Sequence, residues 1–175
     1  MFYETIFFSP LGDLTLLARD DALVGLWLPG QKYFGGGLAG DWQRDDARSV
    51  FTQTKDWLRR YFAGEQPSID AIPLSPIGSP FRQQVWHALR KIPYGQVTTY
   101  GALAKQLAQE KGLSSMSAQA VGGAVGHNPI SIIIPCHRVV GVGGSLTGYA
   151  GGIDKKVQLL TLEGVDTSRL HLPKE

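Results

Sequence analysis

One cysteine occurs among the 175 residues, Cys136, in the run Pro135-Cys136-His137-Arg138. A single thiol rules out an internal disulfide and any thiolate-rich zinc site, and leaves a free thiol that a reducing cytosol would preserve. A lone cysteine is either a small buried apolar residue or a nucleophile, and its neighbours favour the second reading. Held by proline at the end of an apolar run and followed by two potential cations, the sulfur stands where a thiolate is electrostatically favoured. Adjacent residues of an extended chain point to opposite faces, so Cys136 and His137 are not expected to touch directly, and a bridging water would relay the proton. A second residue stands out: Glu163 falls in the last turn of a helical stretch, where it opposes the helix dipole at a cost of about 0.3–1 kcal/mol. Either it is an exposed, tolerated glutamate or it has a specific partner such as an imidazole.

These residues must be positioned by the rest of the chain. Tyr3 to Phe8 alternates apolar and polar residues, turns at Pro10 to Asp13, resumes at Leu14 to Leu17 and turns again at Asp20-Asp21, which predicts a meander of short strands. Gly35-Gly36-Gly37 reads as a connection. Ala47, Val50, Phe51, Thr54, Trp57, Leu58, Tyr61 and Phe62 recur at helical spacing, with Gly64 beyond as a C-terminal stop. Four prolines between Glu65 and Pro80 mark a linker, dividing the chain into an N-terminal α/β domain over 1–75 and a C-terminal, mostly α domain over 76–175.

In the second half, Ser79-Pro80 opens a helix carrying Phe81, Val85, Trp86 and Leu89 that stops at Pro93-Tyr94-Gly95. Further helices start near Thr99 and near Ser117, separated by a turn-rich loop, a pattern shared by ordinary helix pairs and by helix-turn-helix DNA readers. The latter helix contains Gly122, Gly123 and Gly126, each costing about 1 kcal/mol relative to alanine, so a smooth surface must serve close approach to a neighbouring helix or to the floor of a DNA groove. Ser131 to Ile134 reads as a buried strand leading to Cys136. Six glycines from Gly141 to Gly152 surround Tyr149 in a loop that is either a flexible hairpin or a backbone wrap for a flat ligand. Asp154 then caps a last helix bearing Val157, Leu159, Leu160 and Leu162.

The composition is that of an ordinary globular protein, with no apolar run near the roughly 20 residues that cross a bilayer and no signal-peptide pattern at the N-terminus. The net charge of +2 conceals an asymmetry. Residues 1–75 hold seven Lys/Arg against ten Asp/Glu, and residues 76–175 hold ten against five. The basic half suits a phosphate-binding surface, although a solvated surface would look the same.

Pro135-Cys136-His137-Arg138-Val139, preceded by Gly126-His127-Asn128-Pro129 and followed by Gly148-Tyr149-Ala150-Gly151-Gly152 and Leu159 to Gly164, resembles the O6-alkylguanine-DNA alkyltransferase family. The likeness runs from about 79 to 165, and the N-terminal half resembles the family in length and order of elements. The resemblance implies a short antiparallel sheet with one covering helix, then a helical domain with a winged helix-turn-helix that enters the minor groove and flips a damaged nucleotide. It further implies Cys136 as alkyl acceptor, His137 as base through water, Glu163 as the carboxylate orienting His137, Asn128 as a hinge residue, and Tyr100 as proton or hydrogen-bond donor to guanine N3. Backbone groups of Cys136, Val139, Tyr149 and Ala150 would meet the base, and Thr99, Gly101, Ala118, Gln119 and Arg138 would meet DNA.

Two positions depart from the family pattern: Gln119 stands where an arginine usually fills the gap left by the flipped base, and Ala150 where some members have serine. The reading calls for duplex DNA carrying O6-alkylguanine as partner, a monomer in the cytoplasm, no membrane, and neither cofactor nor metal. A damage sensor that binds alkylated DNA without chemistry is the rival reading, and Cys136 argues against it. A Cys-His hydrolase would need an imidazole from elsewhere in the chain against the sulfur.

Overall fold

The computed structural model describes residues 1–172, which gather into two compact units. One comprises residues 1–77 with 129–133, and the other 78–128 with the chain from 134 onward.

In the first unit, β1 (Phe2–Ser9), β2 (Gly12–Arg19) and β3 (Ala22–Trp27) form the expected antiparallel meander, and β4 (Trp42–Arg44) adds to β1 in parallel. The first hairpin closes where Gly12 takes a φ of 104°, and Ser9 Oγ donates to the Gly12 carbonyl (2.7 Å). Helix α1 (Ser49–Phe62) buries Val50, Phe51, Thr54, Trp57, Leu58 and Tyr61 and ends at Gly64, whose N–H donates to the Tyr61 carbonyl.

The outer edge of β3 is covered by two non-consecutive segments. Leu23 exchanges backbone bonds with Pro73 and Ser75, and Leu26 does so with Pro129 and Ser131. Here the sequence reading needs correction, because Ser131 to Ile134 is a turn and not a strand. Ile130 alone makes an isolated bridge, and Ile132 sits at φ 71° while almost fully buried. Its apolar run reflects burial rather than strand pairing. Gln31 Oε1 accepts from both Leu28 N and Ser131 Oγ and pins this turn.

The second unit opens with α2 (Pro80–Leu89), where Ser79 Oγ accepts from Arg82 N as the predicted cap. A two-residue strand, β5 (Thr98–Thr99), leads directly into α3 (Tyr100–Glu110), and Ser117 caps α4 (Ala118–Gly126). Trp86 of α2 donates its indole N–H to the Ala124 carbonyl of α4 at 2.8 Å, joining the two helices inside the core. Strand β6 (Val139–Val140) pairs in parallel with β5, and α5 (Ile153–Leu162) closes the unit. Its N-cap is Gly152 at φ 102° rather than Asp154, which lies in the first turn and complements the helix dipole there. Among the described residues, no helix is long and apolar enough to cross a membrane.

Trp86→Phe removes the indole donor, leaving the Ala124 carbonyl only the long bond from His127 N (3.2 Å), and opens a gap where the indole lay, so urea unfolding should show a loss of about 1–3 kcal/mol. A loss below about 0.5 kcal/mol would mean that the bond does not tie α2 to α4.

Candidate active site around Cys136

The site is built in the second unit, at a turn of 3₁₀ helix, Cys136–Arg138, that follows Pro135 and runs into β6. This turn corrects the extended geometry expected of Cys136 and His137. Each side chain is nonetheless sent to its own surroundings. Asn128, just after α4, is buried and donates from Nδ2 to the Ile134 carbonyl (2.8 Å), which fixes the approach to the cysteine.

His137 is fully buried, and its Nε2 lies 2.6 Å from Glu163 Oε2. Glu163 is the C-cap residue of α5, and its side chain has no exposed surface. Arg138 grips the same carboxylate at two points, Nε to Oε1 at 2.7 Å and Nη2 to Oε2 at 3.0 Å. The Gly95 amide adds a longer contact to Oε1 (3.3 Å). A buried carboxylate at a helix C-terminus survives because these donors offset its charge. Against a carboxylate already gripped by Arg138, a neutral His137 places its proton on Nε2 and donates it to Glu163. His137 Nδ1 then carries the free lone pair, with no partner among the described residues. Burial holds His137 below the usual imidazole value of 6.5, even though Glu163 pulls it upward.

The thiol is under opposed influences. Burial dominates and holds the Cys136 thiol above its ordinary value, against the favoured thiolate expected from the sequence, although a hydrogen bond from Asn128 and the charge of Lys156 pull the other way. Arg138 does not supply that charge, since its three nitrogens are taken by Glu163 and the Ile92 carbonyl.

Lys156 does supply it, and it was missed by sequence reasoning. It is completely buried, donates from Nζ to the carbonyls of Val139 (2.6 Å) and Thr147 (3.2 Å), and is lowered by burial to about 8. The available signal was position: three and four residues before Leu159 and Leu160, Lys156 stands on the apolar stripe of α5. Tyr94 and Gly95 were also passed over, as a mere helix stop.

Tyr100 begins α3 immediately after β5 and donates its hydroxyl to the Thr147 carbonyl (3.3 Å). Burial raises its pKa, and the nearby Cys136 adds to the effect. Thus Tyr100 and Lys156 converge on one carbonyl of the glycine-rich loop. Tyr149 is buried, and Ala150 partly so. Gly101, Ala118 and Gln119 are exposed at the first turns of α3 and α4, while the Thr99 hydroxyl is used as a cap, accepting from Ala102 N (3.0 Å). Among the described residues, no group of acidic, cysteine or histidine side chains is arranged to hold a metal ion.

Comparison with known proteins places this geometry. The model of the 6-O-methylguanine DNA methyltransferase DNA binding domain matches residues 80–165, and that of the ribonuclease-like domain of the same enzyme matches 1–76. The chain belongs to this family. The family likeness of the N-terminal half therefore goes beyond the length and order of elements legible in the sequence. The chain is 40% identical to the methylated-DNA–protein-cysteine methyltransferase of Haemophilus influenzae, with 93% of this chain and 87% of that protein covered. Identity to the protein of that name in Mycolicibacterium paratuberculosis is 44%, covering 94% and 91%. The crystal structure of Mycobacterium tuberculosis OGT in complex with DNA superposes with a TM-score of 0.77 at 41% identity, covering 97% of this chain and 94% of that one.

The His137 assignment can be checked by nuclear magnetic resonance of labelled imidazole. The ring should be the neutral Nε2–H tautomer at pH 7 and should titrate below 6.5. Because the unfolded chain binds this proton first, the contribution of His137 to stability, full above 6.5, is lost as pH falls from there through the lower folded value. Titration at or above that value would show a charged His137 in the working protein.

Proposed function

We infer that this protein repairs DNA by moving an alkyl group, chiefly methyl, from O6 of guanine to the sulfur of Cys136, and is consumed in doing so. The observation that carries the reading is the surroundings of the sole cysteine. Cys136 lies in a turn with a neutral, carboxylate-oriented imidazole as its next residue and a buried ammonium nearby. Membership of the family, and names of relatives that specify a protein cysteine as acceptor, support it.

In this reading a water passes the thiol proton to His137 Nδ1, and Glu163 and Arg138 hold the ring for it. The sulfur attacks the alkyl carbon, the carbon–O6 bond breaks, and its electron pair stays with the purine. Tyr100 gives its hydroxyl proton to N3, so that guanine departs neutral. The proton held by His137 restores the phenol, so the thiol proton ends on guanine. The product thioether has no leaving group that water readily displaces, which makes the reaction stoichiometric. Asn128 holds the approach to the sulfur, while backbone groups of Val139, Tyr149 and Ala150 take the edges of the base. The Val139 carbonyl also accepts from Lys156, leaving one lone pair for the exocyclic amine.

DNA enters through α3 and α4, read as a winged helix-turn-helix in the minor groove with the damaged nucleotide flipped out. Gly123 and Gly126 support this reading, because a Cβ at either position would meet nothing within 4 Å and packing within the unit does not call for them. Thr99, Gly101, Ala118 and Gln119 line the approach, with Gln119 as a neutral occupant of the vacated base position. Arg138, also expected among the DNA contacts, is the clamp on Glu163. The protein acts as a monomer in the cytoplasm, with 1–75 and 76–175 as its domains.

Incubation with duplex DNA containing O6-methylguanine, followed by intact mass and peptide mapping, tests the function. The wild-type protein should gain one methyl group on the Cys136 peptide with no turnover, and Cys136→Ser should gain none while still binding the duplex. Transfer by Cys136→Ser, or repeated turnover by the wild type, would overturn it.

A further inference from the structure

The glycine-rich loop that carries Thr147 and Tyr149 is a poor platform by composition. Gly143, Gly144, Gly148 and Gly152 all adopt positive φ, and such a backbone loses more freedom on ordering than any other. Something must hold it, and part of the holding comes from beyond the family's matched residues, which end at 165.

After α5 the chain reverses at Gly164 (φ 82°), where Val165 N returns to the Leu160 carbonyl, and runs back along the loop. Leu146 N donates to the His171 carbonyl at 2.7 Å and His171 N donates to the Gly144 carbonyl at 3.1 Å, so that Ser145 and His171 form a parallel bridge. The contact is close. A Cβ on Gly144 would come within 2.5 Å of the Arg169 carbonyl oxygen. Leu170 packs on the cluster of Val140, Leu146 and Leu160, which joins the tail to β6 and α5 as well. One residue beyond Leu146 is Thr147, whose carbonyl receives both Lys156 and Tyr100.

We propose that the segment Val165–His171 is a positioning element of the transfer site. Through its bridge to Gly144–Leu146 it fixes the Thr147 carbonyl, and through it the Tyr100 hydroxyl and the Lys156 ammonium. The proposal rests on the alkyl-transfer reading. It adds that the segment governs the chemical step rather than the capture of DNA, since it acts on the loop that carries the Thr147 carbonyl and not on Gly101, Ala118 or Gln119, the exposed positions assigned to DNA.

His171 provides a clean test because its side chain is exposed and the proposal needs only its amide. His171→Pro removes the N–H that Gly144 accepts, whereas His171→Ala keeps it. In single-turnover reactions with O6-methylguanine duplex, His171→Pro should lower the limiting rate constant by about tenfold or more, with the half-saturating DNA concentration unchanged within about twofold. His171→Ala should match the wild type, and Leu170→Ala should repeat the loss while Leu170→Met restores the rate. Hydrogen exchange at the Leu146 amide should quicken in the slow variants. A limiting rate unchanged in His171→Pro despite fast exchange at Leu146, or a change confined to half-saturation, would overturn the proposal. Failure of the wild type to transfer at all would instead remove the alkyl-transfer reading on which it rests.

Discussion

A carboxylate buried at the C-terminal end of a helix is costly twice over, once for its desolvation and once for the dipole that faces it. Glu163 tolerates both because Arg138, His137 and Gly95 surround it with donors. Much of the second unit follows from that need. The 3₁₀ turn after Pro135 brings His137 and Arg138 to the same carboxylate, the Pro93–Gly95 turn supplies the amide, and α5 must end where it does. Neutral His137 is a consequence of the same balance, for Arg138 already answers the negative charge and burial penalises a second positive one. A neutral imidazole at the residue after the cysteine is thus set by electrostatics in the fold.

Lys156 and Tyr100 are organised by backbone. The carbonyls of Val139 and Thr147 collect Lys156, and Thr147 also collects Tyr100, so that cation and phenol are held by the loop that would wrap the substrate base. The parallel pairing of β5 with β6 sets Tyr100 at the start of α3 opposite the strand leaving the cysteine turn. Electrostatic preorganisation of this kind costs nothing further at the moment of reaction.

The legible parts of the sequence were those governed by local rules. Alternation gave the meander, spacing gave α1, and the side chains of Ser79, Thr99 and Ser117 marked helix starts because capping is decided within four residues. The pairing of His137 with Glu163 came from the family resemblance, since the poor placement of an acid in a last helical turn fits an exposed glutamate as well as a partnered one. What failed depended on distant chain. An apolar run around Ile132 looked like a strand, but both ends of the segment were committed to β3 or to the cysteine turn, and the residues between had to reverse. That Arg138 pairs with Glu163 was hidden as well, because nothing in its neighbourhood reveals a carboxylate 25 residues away. Lys156 escaped notice because lysine is ordinarily a surface residue, and its acceptors are backbone carbonyls that no side-chain pattern displays.

The central claim is that the ion pair of Arg138 and Glu163 forms one charge-balanced unit on which the site is built. Urea unfolding of the wild type, Arg138→Met, Glu163→Gln and the double variant tests it most directly. Each single change leaves a buried charge without its partner, whereas the double change removes both. The account therefore predicts that the double variant is no less stable than the weaker single variant, with a coupling of at least about 2 kcal/mol. Losses that add to within about 0.5 kcal/mol would contradict it, because independent residues would then hold the site.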